Sequence, residues 1–128
     1  MSVQVAIVDD HEAVRLGFAA ACEKNDFDLI GSAPTVTELL EQIGARECQV
    51  VVTDLSLADG SLVAENVERI VATGAAVLIF SIAEKPNLMR AAVRAGATAI
   101  VPKSQPVEDL MGAIRLAADG AILNNGET

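Results

Sequence analysis

Short, nearly unbroken apolar runs alternate along this chain with segments of helical periodicity, and this alternation limits the possible fold most strongly. The runs have the length of strands, with a weaker one in second place: Val3–Val8, Asp28–Ala33, Val50–Thr53, Ala76–Phe80 and Ala99–Val101. Because they are apolar at consecutive positions, they are typical of strands buried on both faces, as in a parallel sheet. Between them, apolar residues recur every three or four positions, which predicts amphipathic helices.

The residues that flank the periodic segments support the same division of the chain. Thr35 with Glu38 predicts a capping box, and Pro86 and Pro106 predict first turns of helices. Five strands alternating with five helices predict an α/β fold, a flavodoxin-like doubly wound (βα)5 sandwich with a five-stranded parallel sheet of order 2-1-3-4-5. In such a sheet, ligands bind at the carboxyl ends of the strands, near the switch point between strands one and three.

Composition and charge narrow the class of protein. A chain of 128 residues that is 52% hydrophobic predicts one globular domain with its own core. Its net charge of −9 argues against direct binding of nucleic acid, which needs basic residues to contact phosphates. Cys22 and Cys48 lie in apolar contexts, which indicates reduced core residues of a cytoplasmic protein. No apolar run approaches the roughly 18 residues of a membrane span, so no membrane partner is expected.

Polar residues with complementary chemistry follow four of the five predicted strands. Asp9 and Asp10 follow the first strand, Asp54 the third, Ser81 the fourth and Lys103 the fifth. In the predicted order these four strands are neighbours, so their carboxyl ends should form one cleft. The second strand ends in an alanine and a proline and lies at the far edge, where no chemistry is expected.

These residue types suit a divalent cation and a phosphoryl group. Three carboxylates favour a hard cation such as Mg²⁺, a lysine can hold a phosphate, and a serine hydroxyl can donate to one. Asp54 stands alone on the central strand and is the candidate nucleophile toward phosphorus. Each residue alone also has a structural interpretation, because acidic residues often solvate turns, and Asp9 or Asp10 is a candidate N-cap of the first helix. His11 is interpreted as a partly exposed residue of a loop or of a helix start, since there is no second histidine to build a metal site.

The sequence resembles the receiver (CheY-like) domains of two-component response regulators over its whole length. The resemblance is carried by four stretches: VDDHEAVRLGF, VVTDLSLADGS, IFSIAE and AGATAIVPKS. The stretches DDHEAVRLG and PKSQPVEDLMGAIRLAADG are similar to the NarL/FixJ (LuxR-type) subgroup, which carries a C-terminal helix-turn-helix. The resemblance therefore implies a receiver domain over residues 1–121 and, over residues 122–128, the start of a linker toward a DNA-binding domain absent from this chain.

The resemblance also implies roles for individual residues. Asp54 would be the phosphoacceptor, and Asp9 and Asp10 would hold Mg²⁺ together with Asp54 and the backbone carbonyl of Ser56. Lys103 would pair with the phosphoryl group, and Ser81 would follow it as a switch residue. The partners implied are a cognate sensor histidine kinase and a second copy of the chain on activation, with DNA bound only through the absent domain. The expected activity is signalling rather than enzymatic turnover.

Several positions depart from the receiver pattern and keep other hypotheses open. Ala58, Leu62 and Ile82 replace the commoner proline, glycine and small residue, and Ile100 stands at the second switch position, which is often aromatic. These changes motivate an alternative, an atypical receiver that acts as a protein-interaction module without phosphorylation. A metal-dependent phosphohydrolase is a further alternative, although its aspartates would be spaced Asp-x-Asp. A dinucleotide-binding fold is disfavoured, since no G-x-G-x-x-G follows the first strand.

Overall fold

Strands and helices alternate strictly in the computed structural model, which describes residues 2–82 and 85–120. The strands are β1 Gln4–Val8, β2 Asp28–Ala33, β3 Val50–Thr53, β4 Ala76–Ser81 and β5 Ala99–Pro102. The helices are α1 Glu12–Lys24, α2 Val36–Ile43, α3 Val63–Val71, α4 Pro86–Ala95 and α5 Val107–Ala118. The predicted linker at 122–128 lies outside the described residues, as does residue 121.

The five strands form one parallel sheet in the order β2-β1-β3-β4-β5, which confirms the predicted fold class. Val8, the last residue of β1, is in register with Ala33 of β2 and with Thr53 of β3. The chain therefore reverses its direction of winding at β1, and the carboxyl ends of β1 and β3 lie side by side at this switch point. A ligand cleft is expected at that position in open α/β sheets.

The core lies on both faces of the sheet, as the continuous apolar runs predicted. Ala6 and Val8 face one apolar cluster, which contains buried residues of α2, α3 and α4. Val5 and Ile7 face the other cluster, which contains buried residues of α1 and α5. Each large aliphatic side chain buried in this way contributes roughly 1.5–3 kcal/mol relative to exposure. Gly31 interrupts the weaker apolar run of β2 for a packing reason, because a Cβ at this position would lie 2.7 Å from Leu39 Cδ1 of α2.

The helix starts agree with the sequence patterns at two positions and differ at two. Thr35 Oγ1 accepts the Glu38 N–H at 3.1 Å, as the capping box predicted, and α4 begins at Pro86. Pro106, however, is the N-cap residue of α5 rather than part of its first turn. The suggestion that Asp9 or Asp10 caps α1 is wrong, because His11 occupies that position. Both carboxylates are thereby left for the cleft.

Two further expectations concern the cysteines and the membrane. Cys22 and Cys48 are free thiols, the first buried and the second half-buried. Burial raises the pKa of Cys22 to about 12 and that of Cys48 to about 11, which keeps both thiols protonated at neutral pH. Within residues 2–82 and 85–120, none of the helices has the length and apolar character needed to span a bilayer.

Candidate functional site

Backbone hydrogen bonds hold three of the candidate residues at the carboxyl edge of the sheet. Each residue directly follows a strand, and its backbone N–H donates to a carbonyl group of the neighbouring strand. The bonds run from Asp9 to the Ala33 carbonyl at 3.0 Å, from Asp54 to the Val8 carbonyl at 3.1 Å and from Lys103 to the Ser81 carbonyl at 3.0 Å. The positions of these backbones are therefore set by the sheet itself.

Lys103 joins two of the carboxylates in an ion-paired cluster. Its Nζ lies 2.8 Å from Asp9 Oδ2 and 3.4 Å from Asp54 Oδ2. The side chain of Lys103 is only 9% exposed, and those of Asp9 and Asp54 are 1% and 11% exposed. The ammonium also lies 5.6 Å from the centre of the Phe80 ring, within the range of a cation–π contact. One buried cation thus offsets negative charge from both β1 and β3.

Asp9 has more partners than the other carboxylates. Its Oδ1 accepts the backbone N–H of His11 at 2.9 Å and lies 3.0 Å from the ring Nδ1 of the same residue. The backbone carbonyl of Asp9 accepts a hydrogen bond from Arg15 Nη1 at 2.6 Å. Since Oδ2 is paired with Lys103, both carboxylate oxygens of Asp9 are engaged. Asp9 is therefore held rigidly in the cluster.

Asp54 is oriented but keeps one oxygen more weakly engaged. Its Oδ1 accepts the backbone N–H of Leu55 at 2.7 Å, whereas Oδ2 has the longer 3.4 Å contact with Lys103. The hydroxyl of Thr53, a buried residue, donates to the Asp54 carbonyl at 3.1 Å. Oδ2 is therefore the less constrained of the two carboxylate oxygens of Asp54.

Asp10 carries a buried oxygen whose hydrogen-bonding capacity is unused. Its Oδ1 is buried and has no hydrogen-bond partner among the residues that the structure describes. A buried unsatisfied polar atom costs free energy, more so when it is charged and close to like charges. One ligand atom from each of Asp9, Asp10, His11 and Asp54 lies within 4.8 Å of the others. A cation that binds oxygen ligands would provide the unpartnered Oδ1 of Asp10 with a favourable contact.

Replacing Asp10 with asparagine is therefore expected to stabilise the metal-free protein. The substitution removes a negative charge from a crowded group of carboxylates, and we expect the free energy of unfolding to rise by about 1 kcal/mol. Urea denaturation in the presence of EDTA measures the change. Asp28→Asn, at an exposed position where β2 begins, is the matched control and should alter stability by less than about 0.5 kcal/mol. A destabilised Asp10→Asn would contradict the proposed repulsion.

The remaining predicted residues lie around this cluster. Ser81 is the last residue of β4 and is buried, and its carbonyl anchors the Lys103 backbone. Ser56 is exposed two residues after Asp54, and the role of its carbonyl stays a prediction. Ile100 is half-buried on β5, where it lines a surface groove with Met89 and Val93 of α4. Its role as a switch residue also stays a prediction.

The sequence interpretation missed the contacts of His11 and Arg15. His11 is exposed at the start of α1, as expected, but its ring also contacts Asp9 and lies 3.8 Å from Asp10 Oδ1. Arg15, one helical turn later, reaches back to the Asp9 carbonyl. Both residues follow the acidic pair closely in the sequence. This spacing could have indicated the contacts, because the first turn of a helix that begins there lies beside the same cleft.

A parallel sheet of this order, with a carboxylate pair, a lone aspartate and a lysine at its carboxyl edge, defines a receiver-type α/β domain. Over residues 5–115 the chain matches the model of the response regulator receiver domain, and it belongs to that family. The predicted family membership is thereby confirmed.

Individual relatives agree with the resemblance to the NarL/LuxR-type subgroup. The chain is 29% identical over 119 residues to the transcriptional regulatory protein UhpA of Salmonella typhimurium, covering 92% of this chain and 60% of UhpA. It is 25% identical to the oxygen regulatory protein NreC of Staphylococcus carnosus, covering 92% of this chain and 56% of NreC. The chain thus spans little more than half of the length of these curated relatives.

A solved structure of the same subgroup is also similar. The LuxR-family two-component response regulator from Aurantimonas sp. SI85-9A1 superposes with a TM-score of 0.82 at 26% identity, covering 95% of this chain and 89% of that one. The chain is accordingly a response regulator receiver domain, and a LuxR-family response regulator is among the solved structures to which it is similar.

Proposed function

We propose that this domain is a phosphoacceptor that receives a phosphoryl group on Asp54 from a cognate sensor histidine kinase in the cytoplasm. The observation that carries the proposal is the position of Asp54 at the end of the central strand, with Lys103 Nζ 3.4 Å from its Oδ2 and the carboxylates of Asp9 and Asp10 beside it. The modified residue would then control dimerisation and the DNA binding of an effector domain.

The chemistry proposed for the transfer is an in-line displacement at phosphorus. The Oδ2 of Asp54 attacks the phosphohistidine of the kinase, an O–P bond forms, and the N–P bond breaks with its electron pair returning to the imidazole. Lys103, held in place by Asp9, neutralises negative charge on the transferred group as a point charge. The hydrogen bond from Leu55 to Oδ1 keeps the carboxylate oriented so that Oδ2 is the reacting atom.

The donor set of the pocket fits Mg²⁺. Asp9, Asp10 and Asp54 would hold the ion together with the backbone carbonyl of Ser56, and the buried, unpartnered Oδ1 of Asp10 supports an oxygen-seeking cation there. When bound, Mg²⁺ supplies charge neutralisation for the phosphoryl oxygens. Without Mg²⁺, the ion pair between Lys103 and Asp9 offsets only part of the negative charge of the three carboxylates.

The proposed output is a shift between two conformations of the domain. Phosphoryl oxygens would draw in the hydroxyl of Ser81, and Ile100 on the neighbouring strand would repack against α4. UhpA is a transcriptional regulatory protein, which supports an effector domain that acts on DNA. The net charge of −9 is consistent with DNA being contacted by that domain rather than by the receiver.

Phosphorylation by a small-molecule donor tests the proposal directly. We expect intact protein incubated with Mg²⁺ and acetyl phosphate or phosphoramidate to gain one phosphate per chain, measured by mass spectrometry. Because Mg²⁺ offsets the charge of three carboxylates, EDTA should suppress the gain by more than about tenfold. A mass that does not change, or a gain that is insensitive to EDTA, would contradict the proposed chemistry.

A further inference from the structure

Asn66 is a buried polar residue that the transfer chemistry does not use. It lies in the first turn of α3 and is only 3% exposed. The other buried polar residues of the described chain lie at the carboxyl edge of the sheet: Asp9, Thr53 and Ser81. The Nδ2 of Asn66 donates to Ser61 Oγ at 2.9 Å. Because a buried amide costs free energy when its hydrogen bonds are not made, α3 favours the loop conformation that keeps this contact.

The bond from Asn66 is the first of a directed chain of hydrogen bonds. The Ser61 hydroxyl, which accepts from Asn66, donates in turn to Asp59 Oδ1 at 2.6 Å. The same oxygen accepts the backbone N–H of Ser61 at 3.0 Å. These two bonds lower the pKa of Asp59, so its carboxylate is an ionised acceptor at neutral pH. The chain of bonds therefore runs from the core, through the Ser61 hydroxyl, to the exposed part of the loop after β3.

The same loop contains Ser56, whose carbonyl is the candidate metal ligand. Ser56 is exposed, and it lies between the buried side chains of Leu55 and Leu57. The Leu57 carbonyl accepts the Gly60 N–H at 3.2 Å, so a turn begins directly after the Ser56 carbonyl. The hydrogen bonds from Asn66 close this turn at its other end, at Ser61. The orientation of the Ser56 carbonyl thus depends on the two buried leucines and on the closed turn.

Other local restraints on this part of the backbone are few. No proline lies between Asp54 and α3, so no φ angle there is fixed by a ring. Leu62, the N-cap residue of α3, is 63% exposed and makes no side-chain capping bond. The hydrogen bonds that start at Asn66 consequently supply the restraint that a proline or a capping side chain would otherwise give.

We propose that Asn66, acting through the Ser61 hydroxyl, is a positioning residue that fixes the loop after β3 and thereby the Ser56 carbonyl for the cation. The inference rests on the proposed function, since it takes that carbonyl to be a ligand of Mg²⁺. Neither side chain touches the ion or the phosphoryl group. Both act on the loop backbone, so their loss weakens Mg²⁺ binding without removing a reacting group.

Magnesium titrations of Ser61 variants test the proposal. Ser61→Ala removes the hydroxyl at a half-buried position, and calorimetry should show about tenfold weaker binding of Mg²⁺. Ser61→Thr keeps a hydroxyl that can both accept and donate, and its affinity should stay within about twofold of the wild type. Thr37→Ala is the matched control, because it removes a hydroxyl that contacts Arg69 near the other end of α3. We expect it to bind Mg²⁺ like the wild type.

Phosphorylation kinetics separate positioning from chemistry. With acetyl phosphate as donor, Ser61→Ala should raise the Mg²⁺ concentration at half-maximal rate by the same factor of about ten. Its rate at saturating Mg²⁺ should stay close to that of the wild type, since Asp54 and Lys103 are unchanged. A lower rate at saturating Mg²⁺ with an unchanged half-maximal concentration would contradict a role in holding the cation ligand.

Asn66→Leu tests the first bond of the chain. Leucine removes the donor and fills the buried position with an apolar side chain of similar volume. We expect Mg²⁺ to bind as weakly as in Ser61→Ala, and the double variant to bind no more weakly than either single one, because both break the same chain. Wild-type affinity in Ser61→Ala, additive losses in the double variant, or an equal loss in Ser61→Thr would overturn the inference.

Amide hydrogen exchange in EDTA tests the loop without the cation. The Gly60 N–H, which donates to the Leu57 carbonyl, should exchange about tenfold faster or more in Ser61→Ala than in the wild type. Thr37→Ala should leave its exchange unchanged. Equal exchange in Ser61→Ala and the wild type overturns the inference. A wild type that does not bind Mg²⁺ contradicts the cation pocket of the proposed function instead, and hydrogen exchange then decides the role of Asn66 alone.

Discussion

Asp54→Asn is expected to reduce phosphoryl uptake from one phosphate per chain to none. Asparagine keeps the shape of the side chain and can still accept the Leu55 N–H, but a neutral amide is a poor nucleophile toward phosphorus. The carboxylate of Asp9 does not replace it, since both of its oxygens are engaged, by Lys103 and by His11. Intact-mass spectrometry after incubation with Mg²⁺ and acetyl phosphate measures the loss.

Asp59→Asn is the matched control for this substitution. Asp59 lies in the same loop after β3, and hydrogen bonds from the Ser61 side chain and backbone lower its pKa, so it is an ionised carboxylate at neutral pH. It is exposed and lies outside the group of carboxylates that gather at the pocket. We expect it to take up phosphate like the wild type. Full modification of Asp54→Asn would show that another residue is the acceptor.

The fold follows from the sequence because local pattern and tertiary packing agree along this chain. Continuous apolar runs indicated strands covered on both faces, and the two apolar clusters on opposite sides of the sheet bear this out. The helical periodicity predicted burial less accurately at the ends of the helices. Val71 and Val107 continue apolar periodicities but are 39% and 37% exposed. Val71 is the last residue of α3 and Val107 is the first residue of α5, so both lie at helix ends.

The residues that form the site could be predicted from their positions at the strand ends, but their atomic contacts could not. Since parallel strands end at one edge, Asp9, Asp54 and Lys103 had to approach one another once the strand order was known. Which oxygen pairs with which donor depends on side-chain rotamers and on where α1 begins. The start of α1 at Glu12 rather than Asp10 brings His11 and Arg15 onto Asp9, and no periodicity encodes that shift.

Lys103→Met is expected to lower the free energy of unfolding by about 3 kcal/mol in metal-free buffer. Methionine retains much of the length of the side chain but removes the ammonium that contacts Oδ2 of both Asp9 and Asp54. Those two carboxylates are almost fully shielded from water, and removal of one partner from a buried ion pair leaves a charge that solvent cannot stabilise. Urea denaturation in EDTA measures the loss, and Lys24→Met, at an exposed position, should stay within about 0.5 kcal/mol of the wild type.

A double variant and added Mg²⁺ show whether charge causes the loss. Because Asp9→Asn removes the carboxylate closest to Lys103, its combination with Lys103→Met should cost less than the sum of the two single changes. Mg²⁺ should stabilise Lys103→Met more than the wild type, since a divalent cation then offsets charge that the lysine no longer offsets. If Lys103→Met unfolds at the same urea concentration as the wild type, the ion pair does not stabilise the fold. Additive losses without any response to Mg²⁺ would instead assign the effect of Lys103 to packing against Phe80.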